Sequence, residues 1–332
     1  MYSQNAHTAA LLLAASSEAV SYGRSRRRAT GRPGPGRALH PPPGRALRQR
    51  DAPALPRAGA GLGRARPASR RGRHGRRRLL DAVRCLVSTA AGVDHIDLAE
   101  CARRGVAVAN SGTVYSTDVA DHAVGMLLDV LRRVSAAQRF LRRGLWPLQG
   151  DYHPLGTKVG GKRVGIIGLG NIGMLIAKRL EAFGCAISYN SRKPKESVSY
   201  KYFATVHDLA SESDVLVVAC KLSKETRHVV NRDVLDALGK DGVVINIGRG
   251  PIIDEAELVA ALGEERISGA GLDVFEKEPK VPAELFSMDN VVLTPHVAVF
   301  TTESRSDLRD VAIGNLEAFF AGKPLLTPVV PR

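Results

Sequence analysis

Three side chains that could act together on one small molecule stand far apart in this sequence: Arg249, Glu278 and His296. Each comes just after a short apolar run. Arg249 follows residues 243–246 in Asn246-Ile247-Gly248-Arg249-Gly250, Glu278 follows residues 271–274, and His296 follows residues 291–294. An arginine presents a planar fork that matches a carboxylate, and a histidine can pass a proton near neutral pH. A carboxylate beside the imidazole would hold one tautomer and favour the charged ring. The bland readings are a surface charge for Arg249 and a capped loop histidine for His296. Asp254 and Glu255 suit the start of a helix over residues 256–262 and are read as its caps.

These residues can meet only if the runs before them are neighbouring parallel strands, because loops at the carboxyl ends of such strands line one crevice. A second feature points to the same crevice. The strand-like Arg163-Val164-Gly165-Ile166-Ile167 leads into Gly168-Leu169-Gly170-Asn171-Ile172-Gly173, a G-x-G-x-x-G turn that opens a helix through Leu175, Ile176, Ala177, Leu180 and Phe183, with Gly184 at its end. Gly168 permits the sharp turn, Gly170 keeps a side chain away from a pyrophosphate, and Gly173 lets helix and strand approach. The helix N-terminus then faces the anion. After the next strand, residues 185–189, an NAD site would carry an acid for the ribose hydroxyl. This chain reads Asn190-Ser191-Arg192-Lys193-Pro194-Lys195. The basic end favours a 2′-phosphate and so NADP, with NAD less favoured and Ser191, Arg192 and Lys193 as its contacts; a solvated turn is the alternative.

The positioning elements follow from the apolar pattern. Strands are expected at 83–88, 106–109, 163–167, 185–189, 214–218, 242–246, 268–272 and 291–294, with helical segments between most of them, which makes an α/β protein with a doubly wound parallel sheet. One long helix is expected from Ser116 or Thr117 as cap to Gly144-Leu145-Trp146-Pro147. Asp118 falls in its first turn, and Val119, Ala123, Met126, Leu127, Val130, Leu131 and Val134 form its buried stripe. A last helix is expected over residues 303–320.

With 332 residues and 44% apolar content the chain can fill two cores. Its net charge of +15 resembles a nucleic-acid signal until it is divided: residues 1–78 hold 18 Arg, no Lys and only Glu18 and Asp51, a balance of +16, and the rest is −1. Nucleic acid is therefore not an expected partner of the globular part. Residues 1–78, rich in Arg, Pro and Gly, are expected to be disordered. A transit peptide, a tail for nucleic acid or membrane surfaces, and a translated segment under no selection are competing accounts of that stretch. Cys85, Cys101, Cys185 and Cys220 lack paired or metal-type spacing and read as reduced thiols of an intracellular protein, without a metal. No apolar run reaches the ~18 residues of a membrane span. A cytoplasmic protein is expected, with plastid and mitochondrion as alternatives, and the chain ends Pro331-Arg332, without a peroxisomal tripeptide.

Residues 86–330 resemble the D-isomer-specific 2-hydroxyacid dehydrogenases, and within them the plant-type glyoxylate/hydroxypyruvate and hydroxyphenylpyruvate reductases. The resemblance rests on Asp118-Val119-Ala120-Asp121-His122-Ala123, the glycine turn, Asn246-Ile247-Gly248-Arg249-Gly250, Leu272-Asp273-Val274-Phe275 through Glu278-Pro279, and Thr294-Pro295-His296. It implies a Rossmann cofactor domain over 116–297 and a smaller, flavodoxin-like substrate domain, incomplete at its N-terminus, from 79–115 and 298–332. It implies NADPH-dependent hydride transfer to small 2-oxo acids such as hydroxypyruvate, glyoxylate and hydroxyphenylpyruvate, in a homodimer. By the same resemblance Arg249 orients the substrate, His296 protonates its carbonyl oxygen and Glu278, directly before the proline, supports His296; Glu276 is set aside. Asp273 would bond the nicotinamide carboxamide, the main chain at Ala91, Gly92 and Val93 would hold the substrate carboxylate, and Cys220, Ile247 and Gly248 would line the cofactor along with Arg249 and His296.

The sequence departs from the family at Val297-Ala298-Val299-Phe300, where a glycine pair is common, and at Lys221, where proline is usual. Trp146 reads equally as a substrate-pocket wall, supplied across a dimer, and as an anchor of its loop. The missing start of the substrate domain would leave an open apolar sheet edge. A dinucleotide-sensing, corepressor-like binding protein and an inactive truncated paralogue are the competing functions.

Overall fold

An unbroken apolar run such as Val215-Leu216-Val217-Val218 can be a strand only if both its faces are covered, which is the situation at the centre of a parallel sheet. The computed structural model describes residues 11–15 and 83–329 and places its strands accordingly. Strands β1 (Leu11–Ala15), β2 (Val83–Ser88) and β3 (Ala107–Ala109) form a small sheet in that order, with helix α1 (Leu98–Arg103) between β2 and β3. Strands β2 and β3 are parallel, Cys85 opposite Ala107.

A larger sheet holds β4 (Arg163–Ile167), β5 (Ala186–Asn190), β6 (Lys201–Phe203), β7 (Val215–Val218), β8 (Val243–Asn246), β9 (Gly269–Leu272) and β10 (Val291–Leu293). The order is β10-β9-β8-β7-β4-β5-β6, with every neighbouring pair parallel. The order reverses between β4 and β7, and a crevice opens outside the carboxyl ends of strands at such a point. This is the doubly wound Rossmann arrangement. Strand β6, polar at its start, gives little sequence signal and was not anticipated.

Both faces of the large sheet are covered. Helices α2 (Ser116–Arg132) and α5 (Asn171–Ala182) bury Val119, Ala123, Leu127, Ile176 and Leu180 against Val164, Ile166 and Ile245 on one face. On the other, α6 (Val206–Ser211), α7 (Arg232–Leu238) and α8 (Glu255–Gly263) bury Leu209, Leu235, Leu258 and Leu262 against Leu216, Val218 and Val244. Each such leucine contributes about 1.5–3 kcal/mol by leaving water. Helices α6, α7 and α8 start on side-chain caps: Thr205 accepts from Asp208 N at 3.0 Å, Asn231 from Val234 N at 3.2 Å and Asp254 from Glu257 N at 3.3 Å.

The chain returns to the small sheet through α9 (Thr302–Phe320), capped by Thr301, which packs Ala312, Leu316 and Phe319 on Cys85, Val87 and Ala109. Buried Asn315 fastens the last segment: its Oδ1 accepts from the N–H groups of Leu326 and Thr327, and Thr327 donates its hydroxyl to Asn110 O at 2.6 Å. Among the described residues no helix is long and apolar enough to cross a membrane.

Four expectations need correction. The long helix is two: α2 ends at Arg132, Arg133 takes a left-handed conformation with φ 55°, and α3 (Val134–Arg142) follows. Asp129 causes the break to hold, since its carboxylate accepts from Ser135 N at 2.7 Å and caps the new helix. Val134 consequently lies 58% exposed instead of in the buried stripe. Neither Ser116 nor Thr117 caps α2; Tyr115 occupies the cap position and sends its hydroxyl back to Thr89 O at 2.8 Å. Within the expected disordered segment, Leu11–Ala15 is a strand that covers the β2 edge thought to be open, because a parallel edge leaves backbone groups that need partners. The rest of residues 1–78 lies outside the described residues.

Candidate active site

The glycine turn sits between β4 and α5, at the reversal point. Gly168 has φ 95°, and a Cβ there would lie 2.6 Å from Cys220 Cα, so only glycine fits against the end of β7. A Cβ on Gly173 would overlap Gly168 O, so this glycine allows the helix to start close to the strand. Gly170 is different: a Cβ would meet nothing within 4 Å. It stands at the N-cap of α5, where the first N–H groups have no intrahelical partner, beside open space. That combination of a tight turn, an open glycine and unused helix donors fits a pyrophosphate.

Beyond the turn, Asn190 donates to Phe203 O at 2.9 Å and Ala204 O at 3.1 Å, tying the β5 end to β6. Arg192 and Lys193 are exposed, and Ser191 spends its hydroxyl hydrogen on Lys193 O at 2.6 Å. Across the crevice, burial pushes the Cys220 thiol up to about 11, which keeps it neutral. Ile247 is buried and donates its N–H to Val218 O.

On the small-sheet side, the loop after β2 is held from behind by its carbonyls. Tyr115 donates to Thr89 O at 2.8 Å, Ser111 N to Ala90 O at 3.3 Å and Asn110 Nδ2 to Ala91 O at 2.8 Å. Among the described residues nothing accepts from the N–H groups of Ala91, Gly92 or Val93. Consecutive free N–H groups of this kind make an anion-binding concavity.

Arg249 reaches that loop from the end of β8. Asn246 shapes its turn, accepting from Gly248 N at 3.0 Å and donating to Arg249 O at 3.2 Å. A Cβ on Gly92 would overlap the Arg249 guanidinium, so the fork lies against bare backbone. Its Nη1 donates to Gly248 O at 2.8 Å and its Nε lies 3.6 Å from Asp94 Oδ1. The next residue, Gly250, packs backbone to backbone on Phe275 and Glu276, where any Cβ would overlap main-chain atoms. The loop bearing Arg249 is thereby pressed on the loop bearing Glu278.

Glu278 in turn holds His296: its Oε2 lies 2.9 Å from Nδ1, and its Oε1 accepts from Phe275 N at 3.0 Å. His296 has φ 55°, and its N–H donates to Asp273 O at 2.8 Å, so the ring is presented from a left-handed turn. Glu276 points elsewhere, to Arg227 Nη2 and His228 Nε2, each at 3.0 Å. Glu255, besides starting α8, accepts from Glu276 N at 2.9 Å; burial, then Glu276 and Glu278 nearby, pushes its carboxyl up.

Asp273 is 1% exposed and is the hub beneath this turn. Its carboxylate accepts from Thr294 Oγ1 at 2.7 Å, Val297 N at 2.8 Å and Ala298 N at 3.1 Å, with His122 Nε2 at 3.5 Å. Burial alone would raise its carboxyl, but the bonds from His122, Thr294, Val297 and Ala298 outweigh that and hold it below the ordinary range. The Thr294 hydroxyl hydrogen goes to Asp273, so His122, 3.0 Å from the same hydroxyl, donates to it through Nε2. His122, Thr294 and Asp94 were not singled out from the sequence for these roles. His122 and Thr294 lie in motifs that could have drawn attention, and Asp94 closes the turn of residues 89–94, which reads as an anion-presenting loop without naming Arg249 as its partner. Trp146 lies away from these loops: it is 55% exposed, opens the short helix α4 (Trp146–Gln149) and lines a pocket of about 380 Å³ with Phe140, Leu141 and Tyr152.

The arrangement joins a dinucleotide cradle, an anion-binding loop, an arginine fork and a carboxylate-braced histidine around one crevice. Comparison with known proteins agrees in kind. Residues 124–298 match the NAD-binding domain of the D-isomer specific 2-hydroxyacid dehydrogenases. The chain is 57% identical over 250 residues to a glyoxylate/hydroxypyruvate reductase of Arabidopsis thaliana, covering 75% of this chain and 77% of that protein. It is 55% identical to the hydroxyphenylpyruvate reductase of Plectranthus scutellarioides, covering 76% and 81%. The crystal structure of an NADPH-dependent glyoxylate/hydroxypyruvate reductase from Sinorhizobium meliloti, in complex with NADP and malonate, superposes with a TM-score of 0.73 at 42% identity, covering 76% of this chain and 80% of that one.

Proposed function

The chain belongs to the D-isomer-specific 2-hydroxyacid dehydrogenases, and on that premise we propose how its own residues carry out the family's reaction on a small 2-oxo acid such as hydroxypyruvate or glyoxylate. It is an NADP-dependent oxidoreductase that reduces 2-oxo acids to 2-hydroxy acids. The observation that carries the mechanism is His296 held by Glu278 at 2.9 Å, in a loop locked to the one that sends Arg249 against Gly92.

Residues 168–173, Cys220 and Gly248 would hold the dinucleotide, whose nicotinamide would supply a hydride, two electrons with one hydrogen, to the carbonyl carbon. The N–H groups of Ala91, Gly92 and Val93 take the substrate carboxylate. The Arg249 fork orients the 2-oxo acid and polarises its carbonyl. His296, in its protonated form, gives a proton to the carbonyl oxygen as that oxygen becomes an alkoxide. Glu278 balances the imidazolium and fixes its ring, and Asp273 places the turn from which it acts and would accept from the carboxamide of a bound nicotinamide. Arg192, with Lys193 and Ser191, would hold the 2′-phosphate of a bound dinucleotide.

The molecule acts as a homodimer. Leu148 is 79% and Leu155 88% exposed, and Val134, Leu141 and Trp146 on the same stretch, residues 134–155, are exposed too, an apolar arm that a second copy would cover.

Steady-state NADPH oxidation with hydroxypyruvate tests this reading. Arg249→Ala and His296→Ala should each abolish it, and near-normal turnover in either would end the assignment. Arg192→Ala should narrow the preference for NADPH over NADH about tenfold or more, the worth of one charge-assisted bond; an unchanged preference would remove Arg192 from the phosphate site.

A further inference from the structure

Asp94 has no part in the mechanism above, yet its carboxylate stands in the active site. It belongs to the same loop as the three open N–H groups, one residue past Val93. Its Oδ1 lies 3.6 Å from Arg249 Nε, and a Cβ on Gly92 would come within 2.7 Å of that oxygen as well as meeting the guanidinium. Nη1 of Arg249 is engaged by Gly248 O at 2.8 Å. One edge of the fork is therefore bonded and another faces Asp94, and Nη2 is the one that lies over Gly92.

The pair is a poor candidate for a stability device. Asp94 is 45% and Arg249 31% exposed by side chain, and open ion pairs of this kind contribute little to folding. What the pair does is electrostatic and local. A substrate's first carboxylate meets three N–H groups and an arginine. A second carboxylate on the same small molecule would have to enter a site in which the arginine's charge is already shared with Asp94 and a fixed negative charge stands beside the loop.

We propose that Asp94 is a specificity-determining residue whose charge restricts this enzyme to monocarboxylic 2-oxo acids and rejects dicarboxylic ones. The inference rests on the reductase activity proposed above and concerns the substrate class of that same site. Like charges a few ångströms apart in a partly dried cleft discriminate by repulsion, which is a cheaper route to selectivity than shape alone.

The test is a pair of four-carbon substrates, 2-oxobutyrate with a methyl group and oxaloacetate with a carboxylate at the far carbon, with NADPH and the full chain. Asp94→Asn keeps the size of the side chain beside Arg249 Nε and removes its charge. Its ratio of kcat/KM for oxaloacetate over 2-oxobutyrate should rise about tenfold or more, and Asp94→Glu should restore the wild-type ratio. An unchanged ratio in an Asp94→Asn protein that still turns over hydroxypyruvate would overturn the role of Asp94 alone. A marked fall in its melting temperature would overturn it too, by showing a structural part. If the wild-type chain reduces neither hydroxypyruvate nor 2-oxobutyrate, the activity itself is wrong, and the role of Asp94 falls with it.

Discussion

Glu278 grips His296 with one oxygen and its own loop with the other: Oε2 lies 2.9 Å from Nδ1 of the ring, and Oε1 accepts from the Phe275 N–H at 3.0 Å. The carboxylate cannot swing without losing a backbone bond, so the imidazole edge remote from it is the edge held toward substrate. Glu278→Gln keeps the shape and removes the negative charge that faces Nδ1 of the ring. The variant should lose about 10–100-fold in kcat for hydroxypyruvate reduction at pH 7.5 with KM little changed, the pattern of a lost transition-state interaction. A change in KM alone would show that Glu278 serves binding instead.

The glycine turn makes a paired prediction. A Cβ on Gly170 meets nothing, whereas one on Gly173 overlaps Gly168 O. Gly170→Ala should melt like wild type yet bind NADPH at least about tenfold more weakly, because its methyl fills space the pyrophosphate needs. Gly173→Ala should instead lower the melting temperature. Thermal unfolding beside a fluorescence titration with NADPH separates the two; equal affinities for Gly170→Ala and wild type would sink the cradle.

Asp273 links stability to acid. Its carboxyl is held below the usual value in the folded state, so the folded protein binds its proton less readily than the unfolded chain does. A group depressed in this way stabilises fully above its unfolded value, about pH 4, and loses that contribution as pH falls through the lower folded value. Asp273→Asn should remove this part of the acid dependence and cost about 2–4 kcal/mol at pH 7, since an amide turns an N–H toward donors that now bond a carboxylate. Urea unfolding of both proteins at pH 7 and at about pH 2.5, below the unfolded value, checks it: the gap between them must shrink at the lower pH.

The apolar arm predicts assembly. Leu148→Ser with Leu155→Ser removes two side chains that are 79% and 88% exposed, so the isolated fold loses little. Light scattering should show the wild type at twice the chain mass and the double variant at the chain mass. A wild type that runs at the chain mass would refute the dimer.

Much of the site was legible because a parallel sheet turns sequence order into spatial order. Arg249, Glu278 and His296 each follow a strand, and the three strands β8, β9 and β10 are consecutive neighbours, so their carboxyl ends had to adjoin. The glycine spacing was legible because each glycine answers a separate steric demand. What escaped was set by long-range contact. His122 meets Thr294 across 172 residues, and the Asp94–Arg249 pair joins the small-sheet loop to the large sheet. The break at Arg133 escaped because arginine is a good helix former and no glycine or proline marks it; the cause is Asp129, a residue that would have looked at home in an unbroken helix. Buried stripe and exposed arm differ there by one residue's dihedral angle.

Main chain touches main chain where Gly250 abuts Phe275 and Glu276. Two of the reacting side chains thus ride on a single welded platform that cannot be retuned one loop at a time. Any drift of this enzyme toward new substrates has to be written in the opposing lip, residues 89–94, and in the 297–300 segment, while the platform itself is inherited whole.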